Sequence, residues 1–391
     1  MQSVFSSPNP ILFGRGAVKE TGEKLKELGC TKVLVVFDQG VKGAGIADKV
    51  IASIHAAGIE TVCYDKVLPD PPDWSVDEAG TLGLQEKADG VVGIGGGSSL
   101  DTAKGAKLLL SNPPPINQYF GRQGVVKTAG KPLIVIPTTA GTGSECTPGG
   151  VITDTKRNVK DVVVGIGCAV SLGIVDPELT IGLPPSITAA TGMDALCHAV
   201  EAFTSKRSNS FCDVLAKEAI TLVGKYLALA YKDGSNIEAR EGMLLASSLG
   251  GMSLAGPLCH LGHDIGKPLG ANFHIPHGIA CAACLPQAVE YIAPAVPEKV
   301  RFIARALGSN VSENAPPEEI GKLAGDAIKA LMKEINLPNL KSYGLTKEQV
   351  LSIAPEVMQL GLELAPMPTT LEVVQTLLAR SYDENISHPS S

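Results

Sequence analysis

Short β-rich runs alternate with amphipathic helices over the first 140 residues, and this alternation limits the folds that the chain can adopt. The runs at 32–37 (KVLVVF), 60–64, 90–94 (GVVGI) and 132–136 (PLIVI) are predicted to be buried strands. Helices are predicted between them, over 46–57, 75–87 and 98–110. Strands that alternate with helices form βαβ units, so we predict an α/β domain with a mostly parallel sheet.

The pattern changes in the second half of the chain. Short strands, readable as a hairpin, are expected between 151 and 175, and helical periodicity then dominates from 187 to 382. The Pro184-Pro185 pair marks the change. We therefore predict two domains, an α/β domain over residues 1–184 and an all-α domain over residues 185–391.

Composition and charge argue against several classes of protein. Hydrophobic residues make up 44% of the chain, which is too many for a disordered protein. The net charge is −7 and no long run of Lys or Arg occurs, so a nucleic-acid partner is not expected. The uncharged run 243–259 contains Gly and Pro and falls short of the roughly 20 apolar residues of a membrane span. No signal peptide is recognised at the N-terminus, so no membrane partner is expected.

The cysteines indicate a reducing compartment. Nine Cys without regular spacing are expected to be free thiols, as in a cytoplasmic protein. Cys281 and Cys284 form a lone CxxC, and the absence of a second CxxC argues against a zinc or redox motif.

A glycine-rich segment, GIGGGSSLDTAK at 93–104, follows one predicted strand and opens the next predicted helix. Glycine lets the backbone approach a ligand closely, and the N–H groups at a helix start favour an anion. We interpret the segment as a phosphate-binding loop, the alternative being a tight turn without a ligand. It differs from the GxGxxG fingerprint and follows the third predicted strand rather than the first.

Two further features lie at strand ends, where ligands bind in open parallel sheets. The segment PTTAGTGSE at 137–145 could hold a ribose or a nicotinamide amide, or could be an ordinary glycine-rich loop. Asp38 follows the strand at 32–37 and could accept a hydrogen bond from a ribose 2′-hydroxyl, or could only cap the loop. A carboxylate there would repel a 2′-phosphate, so it favours NAD over NADP.

A cluster of acidic and imidazole side chains points to a metal. Asp194 and His198 are spaced i, i+4 on a predicted helix and so share one face. Four of the seven histidines lie within 18 residues of one another, at 260, 263, 274 and 277. One carboxylate with several imidazoles suits Fe²⁺ or Zn²⁺, and an open coordination position would allow catalysis.

Taken together, these segments resemble the iron-containing (group III) alcohol dehydrogenase family. The resemblance runs over essentially the whole chain and also includes IVDPELT at 174–180, TGMDALCHAVEAF at 191–203 and HIPHGIACAACLP at 274–286. It implies a dinucleotide-binding domain, a helical metal-binding domain, and reversible hydride transfer between NAD and a small-molecule alcohol, aldehyde or ketone. It also implies a homo-oligomer.

The resemblance carries over to individual residues. It implies Fe²⁺, or Zn²⁺ on the same ligands, held by Asp194, His198, His263 and His277. It implies an NAD site formed by Asp38, Gly95, Gly96, Gly97, Ser98, Asp101, Thr138, Thr139, Thr142 and Leu179. Lys160 matches a lysine that the family keeps near the nicotinamide.

This chain departs from the family pattern around the substrate. Lys267 replaces a histidine usually found four residues after the third ligand, and His260 and Asp264 stand where small residues are usual. Lys267, His260 and Lys160 are therefore our candidates for catalytic residues. A cation at 267 suggests a substrate with an anionic group, unless Lys267 points to solvent or pairs with Asp264 or Glu145.

Other functions remain open on the sequence. A glycerol or polyol dehydrogenase, or an enzyme similar to dehydroquinate synthase, would use the same scaffold and NAD. A non-catalytic NAD sensor is a third alternative, and the complete set of four ligands argues against it.

Overall fold

A computed structural model describes residues 9–121, 126, 128–360 and 362–384. The described chain divides into two compact units, an α/β unit of residues 9–139 and 143–181 and a helical unit of residues 140–142 and 182–384. The prediction placed residues 140–142 in the α/β domain, because it divided the chain once, at residue 184. In the structure this short segment belongs to the helical unit.

The α/β unit is built on a six-stranded parallel sheet with the order β1-β8-β5-β4-β2-β3. A separate antiparallel hairpin is formed by β6 and β7. The strands are β1 (Ile11–Phe13), β2 (Lys32–Val36), β3 (Glu60–Tyr64), β4 (Gly90–Gly95), β5 (Leu133–Pro137), β6 (Gly149–Asp154), β7 (Val159–Val164) and β8 (Leu172–Val175).

Both faces of the sheet are buried, which explains why its strands are continuous apolar runs. Along β2, Val33 and Val35 pack into one hydrophobic cluster and Leu34 and Val36 into another on the opposite face. The helices that cover the two faces are α1 (Thr21–Glu27), α2 (Gln39–Gly43), α3 (Ile46–Ala56), α4 (Asp73–Gln85) and α5 (Gly97–Leu109).

The helical unit contains no strand among its described residues. Its first helix, α6 (Pro185–Thr204), begins with proline at a position that needs no backbone N–H, and it is buried along most of its length. The remaining helices are α7 (Ser210–Lys232), α8 (Ile237–Ser253), α9 (Leu261–Phe273), α10 (His277–Ala282), α11 (Leu285–Ile292), α12 (Pro297–Ala306), α13 (Pro317–Glu334), α14 (Lys347–Ser352), α15 (Ala354–Val357) and α16 (Leu371–Glu384).

The predicted fold class, a parallel α/β sheet followed by a helical region, is confirmed. The sequence analysis did not identify β1, because a strand of only three residues leaves too little pattern to read. Among the described residues, no helix has the length and apolar character needed to cross a membrane.

Candidate active site

Helix α6 carries three acidic or imidazole side chains on one face. Asp194, His198 and Glu201 are spaced four and three residues apart, so they follow one another along the same side of the helix. Their exposed fractions are 3%, 7% and 1%. Buried charged groups are costly unless they are paired or bind a metal, so this face must have partners.

Two further histidines meet this face. His263 is the third residue of α9, and His277 is the first residue of α10. The Oδ1 atom of Asp194 lies 4.0 Å from His198 Nε2 and 3.8 Å from Nε2 of both His263 and His277. The structure therefore brings together the four predicted metal ligands around one carboxylate oxygen.

Two of these atoms lack a hydrogen-bond partner. Within the described residues, Asp194 Oδ1 and His263 Nε2 are buried and unpaired. An unsatisfied buried polar atom costs about 1–3 kcal/mol, so two that face one another need an explanation. A divalent cation bound between them would supply it, and one carboxylate with three imidazoles is a donor set that fits Fe²⁺ or Zn²⁺.

The other ring nitrogens of two histidines are held by acceptors. His263 Nδ1 hydrogen-bonds Glu201 Oε2, and His198 Nδ1 lies 3.3 Å from the backbone oxygen of Gly141. An Nδ1–H that donates to an oxygen leaves the Nε2 lone pair free for a metal. Glu201 and Gly141 therefore orient the rings of two predicted ligands.

Glu201 also caps the N-terminus of α9. Its Oε1 accepts backbone N–H groups from His260 at 3.0 Å, Gly262 at 2.8 Å and His263 at 3.2 Å. No side chain of α9 caps that helix itself, so a carboxylate from α6 satisfies its first free donors. Burial raises the pKa of Glu201, but the charge and hydrogen bond of His263 outweigh burial and lower it to about 2.

Exposure differs among the four predicted ligands. The side chain of His277 is 35% exposed, whereas those of Asp194, His198 and His263 are below 10%. Within the helical unit, a small molecule can therefore approach the cluster on the side of His277.

The two predicted catalytic residues on the helical unit lie at different depths. His260 is 1% exposed, and its Nε2 lies 2.9 Å from Thr204 Oγ1 while its Nδ1 is 4.0 Å from Glu201 Oε1. The ring of His260 thus faces Thr204 and Glu201. Among the residues that the structure describes, His260 contributes no atom to the groups of converging ligand atoms. Lys267 is 46% exposed, with Nζ 3.7 Å from Asp264 Oδ1. Burial raises the pKa of Asp264 to about 7 even though Lys267 lowers it.

Lys160, the third predicted catalytic residue, lies on β7 in the α/β unit. Its Nζ forms an ion pair with Asp70 Oδ1 at 2.6 Å, and its side chain is 13% exposed. Any anionic group that Lys160 contacts in a ligand would compete with this carboxylate.

The glycine-rich segment adopts the predicted position between β4 and α5. Gly96 is the N-cap of α5, so the first N–H groups of a 13-residue helix are available to an anion. Gly95 has a φ of +144°, and a Cβ added there would lie 2.6 Å from Ser99 Oγ. Residue 95 must therefore be glycine.

Asp38 lies at the end of β2, which is paired with β4. Its Oδ1 accepts the Val41 N–H at 3.0 Å, and its Oδ2 accepts the Ser99 hydroxyl at 3.0 Å. Asp38 thus caps α2 and contacts the glycine-rich loop. Each oxygen keeps a free lone pair, so these bonds leave room for a ribose hydroxyl.

The remaining predicted cofactor residues have varied surroundings. Asp101 accepts the Ser144 hydroxyl at 2.7 Å and the Val151 N–H at 2.9 Å, so its carboxylate joins α5 to the following loop and hairpin. Leu179 is 5% exposed and lines a cavity of about 400 Å³ in the α/β unit. The residues Gly95, Gly96, Gly97, Ser98, Thr138 and Thr139 belong to the α/β unit, and Thr142 belongs to the helical unit.

Sequence reasoning missed Glu201, Gly141 and the thiol of Cys281. The ligand atoms of Asp194, His263, His277 and Cys281 all lie within 4.8 Å of one another. The spacing of Glu201 from His198 was a usable signal, because it places the carboxylate one turn along the face that carries the ligands. No sequence signal identifies a backbone oxygen such as that of Gly141.

Comparison with known proteins identifies the chain's relatives. Choline dehydrogenase of Bacillus subtilis (strain 168) is 38% identical over 357 residues, which are 91% of this chain and 89% of that protein. The crystal structure of a 1,3-propanediol oxidoreductase matches with a TM-score of 0.93 and 34% identity, covering 97% of this chain and 100% of the other. Sulfoacetaldehyde reductase from Bifidobacterium kashiwanohense, solved in complex with NAD⁺, matches with a TM-score of 0.89 and 31% identity, covering 98% and 100%.

Two family models cover nearly the whole chain. The model of iron-containing alcohol dehydrogenase matches residues 8–177, and that of the C-terminal domain of the Fe-containing alcohol dehydrogenase family matches residues 188–382. The resemblance drawn from the sequence is confirmed, and this chain belongs to the iron-containing alcohol dehydrogenase family.

Proposed function

We propose that this protein is a metal- and NAD-dependent alcohol dehydrogenase, which transfers hydride reversibly between a primary or secondary alcohol and NAD. The observation that carries the proposal is the convergence of three imidazole Nε2 atoms on Asp194 Oδ1 at 3.8–4.0 Å. Family membership supports the same activity. When bound, a divalent cation lowers the pKa of a hydroxyl group and polarises a carbonyl, and NAD accepts or supplies the hydride.

The chain contributes orientation at the metal. Asp194, His198, His263 and His277 would hold the cation, while Glu201 and Gly141 keep two of the rings in the binding tautomer. Deep burial of Asp194 and His263 keeps water away from the reacting group, and the more exposed His277 leaves a side open to substrate.

The α/β unit would bind the coenzyme. The start of α5, from Gly95 to Ser98, would accept the pyrophosphate on free N–H groups, and Asp38 would accept a ribose hydroxyl. The other proposed NAD contacts are Asp101, Thr138, Thr139, Thr142 and Leu179, with Lys160 near the nicotinamide. The carboxylate of Asp38 favours NAD over NADP.

The substrate's charge is a separate proposal. Lys267 is one helical turn beyond His263, half-exposed, and could pair with an anionic group on the substrate in place of Asp264. One relative reduces sulfoacetaldehyde, which is an anion, whereas another oxidises choline, which is a cation.

Kinetics with two aldehydes tests the role of Lys267. The kcat/KM for an acidic aldehyde divided by that for a neutral one should fall in Lys267→Ala. The ratio should stay unchanged in Lys347→Ala, which replaces a lysine on another helix. An equal loss for both aldehydes in Lys267→Ala would remove the idea.

The activity itself is tested by absorbance. Protein loaded with Fe²⁺ or Zn²⁺ should reduce NAD⁺ in the presence of short alcohols, and His263→Ala should lose both bound metal and turnover. A His263→Ala variant that kept both would contradict the ligand assignment. A wild-type protein without turnover on any alcohol or polyol would favour the sensor alternative.

We propose a cytoplasmic location, which is supported by nine cysteines that form no disulfide among the described residues. We also propose a homo-oligomer, which is supported by membership of the family. Light scattering on the purified protein would give the oligomeric state, and a monomer at micromolar concentration would contradict it.

A further inference from the structure

The thiol of Cys281 lies beside the proposed metal ligands. Its Sγ is 3.7 Å from both ring nitrogens of His277. Its ligand atom lies within 4.8 Å of those of Asp194, His263 and His277. Cys281 is completely buried, so the sulfur faces protein atoms and not solvent.

The local fold fixes this position. Cys281 is four residues after His277 on α10, so the two side chains share one face. Helix α9 approaches closely because it carries glycine opposite Cys281: a Cβ at Gly266 would lie 2.8 Å from Cys281 Sγ, and one at Gly262 would lie 3.1 Å from Cys281 O. The thiol is therefore pressed between its own helix and the helix that carries His263.

The separation matches that of two ligands on one ion. With bonds of about 2.3 Å to sulfur and 2.0 Å to nitrogen, the angles of about 90–120° in a five-coordinate centre separate S and N by about 3.0–3.7 Å. The 3.7 Å between Cys281 Sγ and His277 Nε2 lies at the upper end of this range. Oxygen and nitrogen ligands at the same angles would be at most about 3.6 Å apart, so the 3.8 Å from Asp194 to His263 and His277 needs only a small contraction.

A second thiol provides a contrast. Cys259 groups with His198 and His263, and it is less buried than Cys281. The group that contains Cys259 includes neither Asp194 nor His277, and His277 is the ligand on whose side the centre is open. Cys284, the other half of the CxxC, points away, with Sγ 3.9 Å from the backbone oxygen of Leu377. Cys281 is thus the cysteine whose surroundings suit a ligand.

We propose that Cys281 is an additional thiolate ligand of the metal in the substrate-free protein, which shifts the preference of the centre from Fe²⁺ towards Zn²⁺. Thiolate is a soft donor that favours Zn²⁺, whereas one carboxylate with three imidazoles accepts both ions. On binding, a sulfur–metal bond forms and the thiol proton passes to solvent. This inference rests on the metal centre of the proposed function.

Cobalt spectroscopy tests the inference on the full chain. Metal-free protein titrated with Co²⁺ should develop visible ligand-field bands together with a near-ultraviolet charge-transfer band from thiolate. Cys281→Ser and Cys281→Ala should lose the charge-transfer band and keep the visible bands, whereas Cys259→Ser should keep both.

The outcomes separate this inference from the proposed function. Visible bands without a charge-transfer band in wild type, or a charge-transfer band that survives in both Cys281 variants, would overturn the role of Cys281 and leave the metal centre standing. Loss of the charge-transfer band in Cys259→Ser would assign the ligand to Cys259 instead and also overturn it. Absence of all bands would contradict both proposals.

Metal competition gives a second readout. Zn²⁺ affinity relative to Fe²⁺, measured anaerobically against a chelator, should fall by about tenfold or more in Cys281→Ser and stay unchanged in Cys259→Ser. An unchanged ratio in Cys281→Ser would contradict the inference.

Discussion

Replacing Glu201 with glutamine should weaken metal binding even though Glu201 is not a ligand. The carboxylate contacts α9 through both oxygens, with Oε1 accepting three backbone N–H groups and Oε2 bonded to His263 Nδ1. In Glu201→Gln the amide oxygen must stay on the three N–H groups, because an NH₂ group there would face three donors. The NH₂ group then faces His263.

The substitution therefore changes the tautomer of His263. An NH₂ group can only donate, so Nδ1 must accept and the ring proton moves to Nε2. That atom is the one aimed at the ligand cluster, 3.8 Å from Asp194 Oδ1, and a protonated Nε2 cannot bind a metal.

The expected losses of metal affinity and of stability are estimated from the contacts that the substitution removes. Changing a group that orients a metal-bound histidine typically costs 10–100-fold in metal affinity, which is about 1.4–2.7 kcal/mol. Loss of negative charge at the start of α9 should also lower the free energy of unfolding of the metal-free protein, by about 1–2 kcal/mol.

Chelator competition with Zn²⁺ measures the affinity, and thermal unfolding of the metal-free protein measures the stability. The matched control is Asp176→Asn, which converts a completely buried carboxylate that also accepts backbone N–H groups, from Val18 and Glu178. The control should lose stability and keep its metal affinity. A Glu201→Gln variant that bound Zn²⁺ as tightly as wild type would show that Glu201 does not set the tautomer of His263.

Three other predictions concern the α/β unit. Asp38→Gly should lower the ratio of kcat/KM with NAD⁺ to that with NADP⁺ by at least about tenfold, because a carboxylate no longer repels the 2′-phosphate; an unchanged ratio would leave Asp38 as a helix cap only. Gly95→Ala should weaken NAD⁺ binding in calorimetry and lower Tm, because its Cβ would meet Ser99 Oγ at 2.6 Å, and normal binding would contradict the close approach. Burial lowers the pKa of Lys107 from 10.5 to about 8. Between about pH 8 and pH 10.5, Lys107 is therefore mostly deprotonated in the folded protein and mostly protonated in the unfolded chain. Wild type should therefore gain stability relative to Lys107→Met as the pH rises from about 8 to about 10.5, and a difference in unfolding free energy that stayed constant over that range would contradict the low pKa.

The α/β fold was predictable because its signals are local. A buried parallel strand such as 90–95 is a run of apolar residues and glycine that needs no tertiary information to recognise. The i, i+4 pair of Asp194 and His198 was likewise visible, since both residues belong to one helix.

Features that depend on the meeting of distant segments were not predictable. In the sequence, Glu201 looks like an ordinary helical glutamate. Only the structure shows that it accepts the first backbone N–H groups of α9, some sixty residues later. The same holds for Gly141, whose backbone oxygen faces His198, and for Cys281, whose thiol reaches the ligands only because glycines on α9 allow close packing. His260 belongs to the histidine cluster of the sequence, whereas in the structure its ring faces Thr204 and Glu201.

Asp194, His198, His263 and His277 are proposed to hold one divalent cation. Anomalous diffraction from crystals of the Zn²⁺-loaded protein, recorded on both sides of the zinc absorption edge, would locate it. We expect a single strong peak about 2.0–2.2 Å from one oxygen of Asp194 and from Nε2 of each histidine. A peak bound by other side chains in place of these four, or no peak between these four residues at full zinc occupancy, would show that they do not form the metal site.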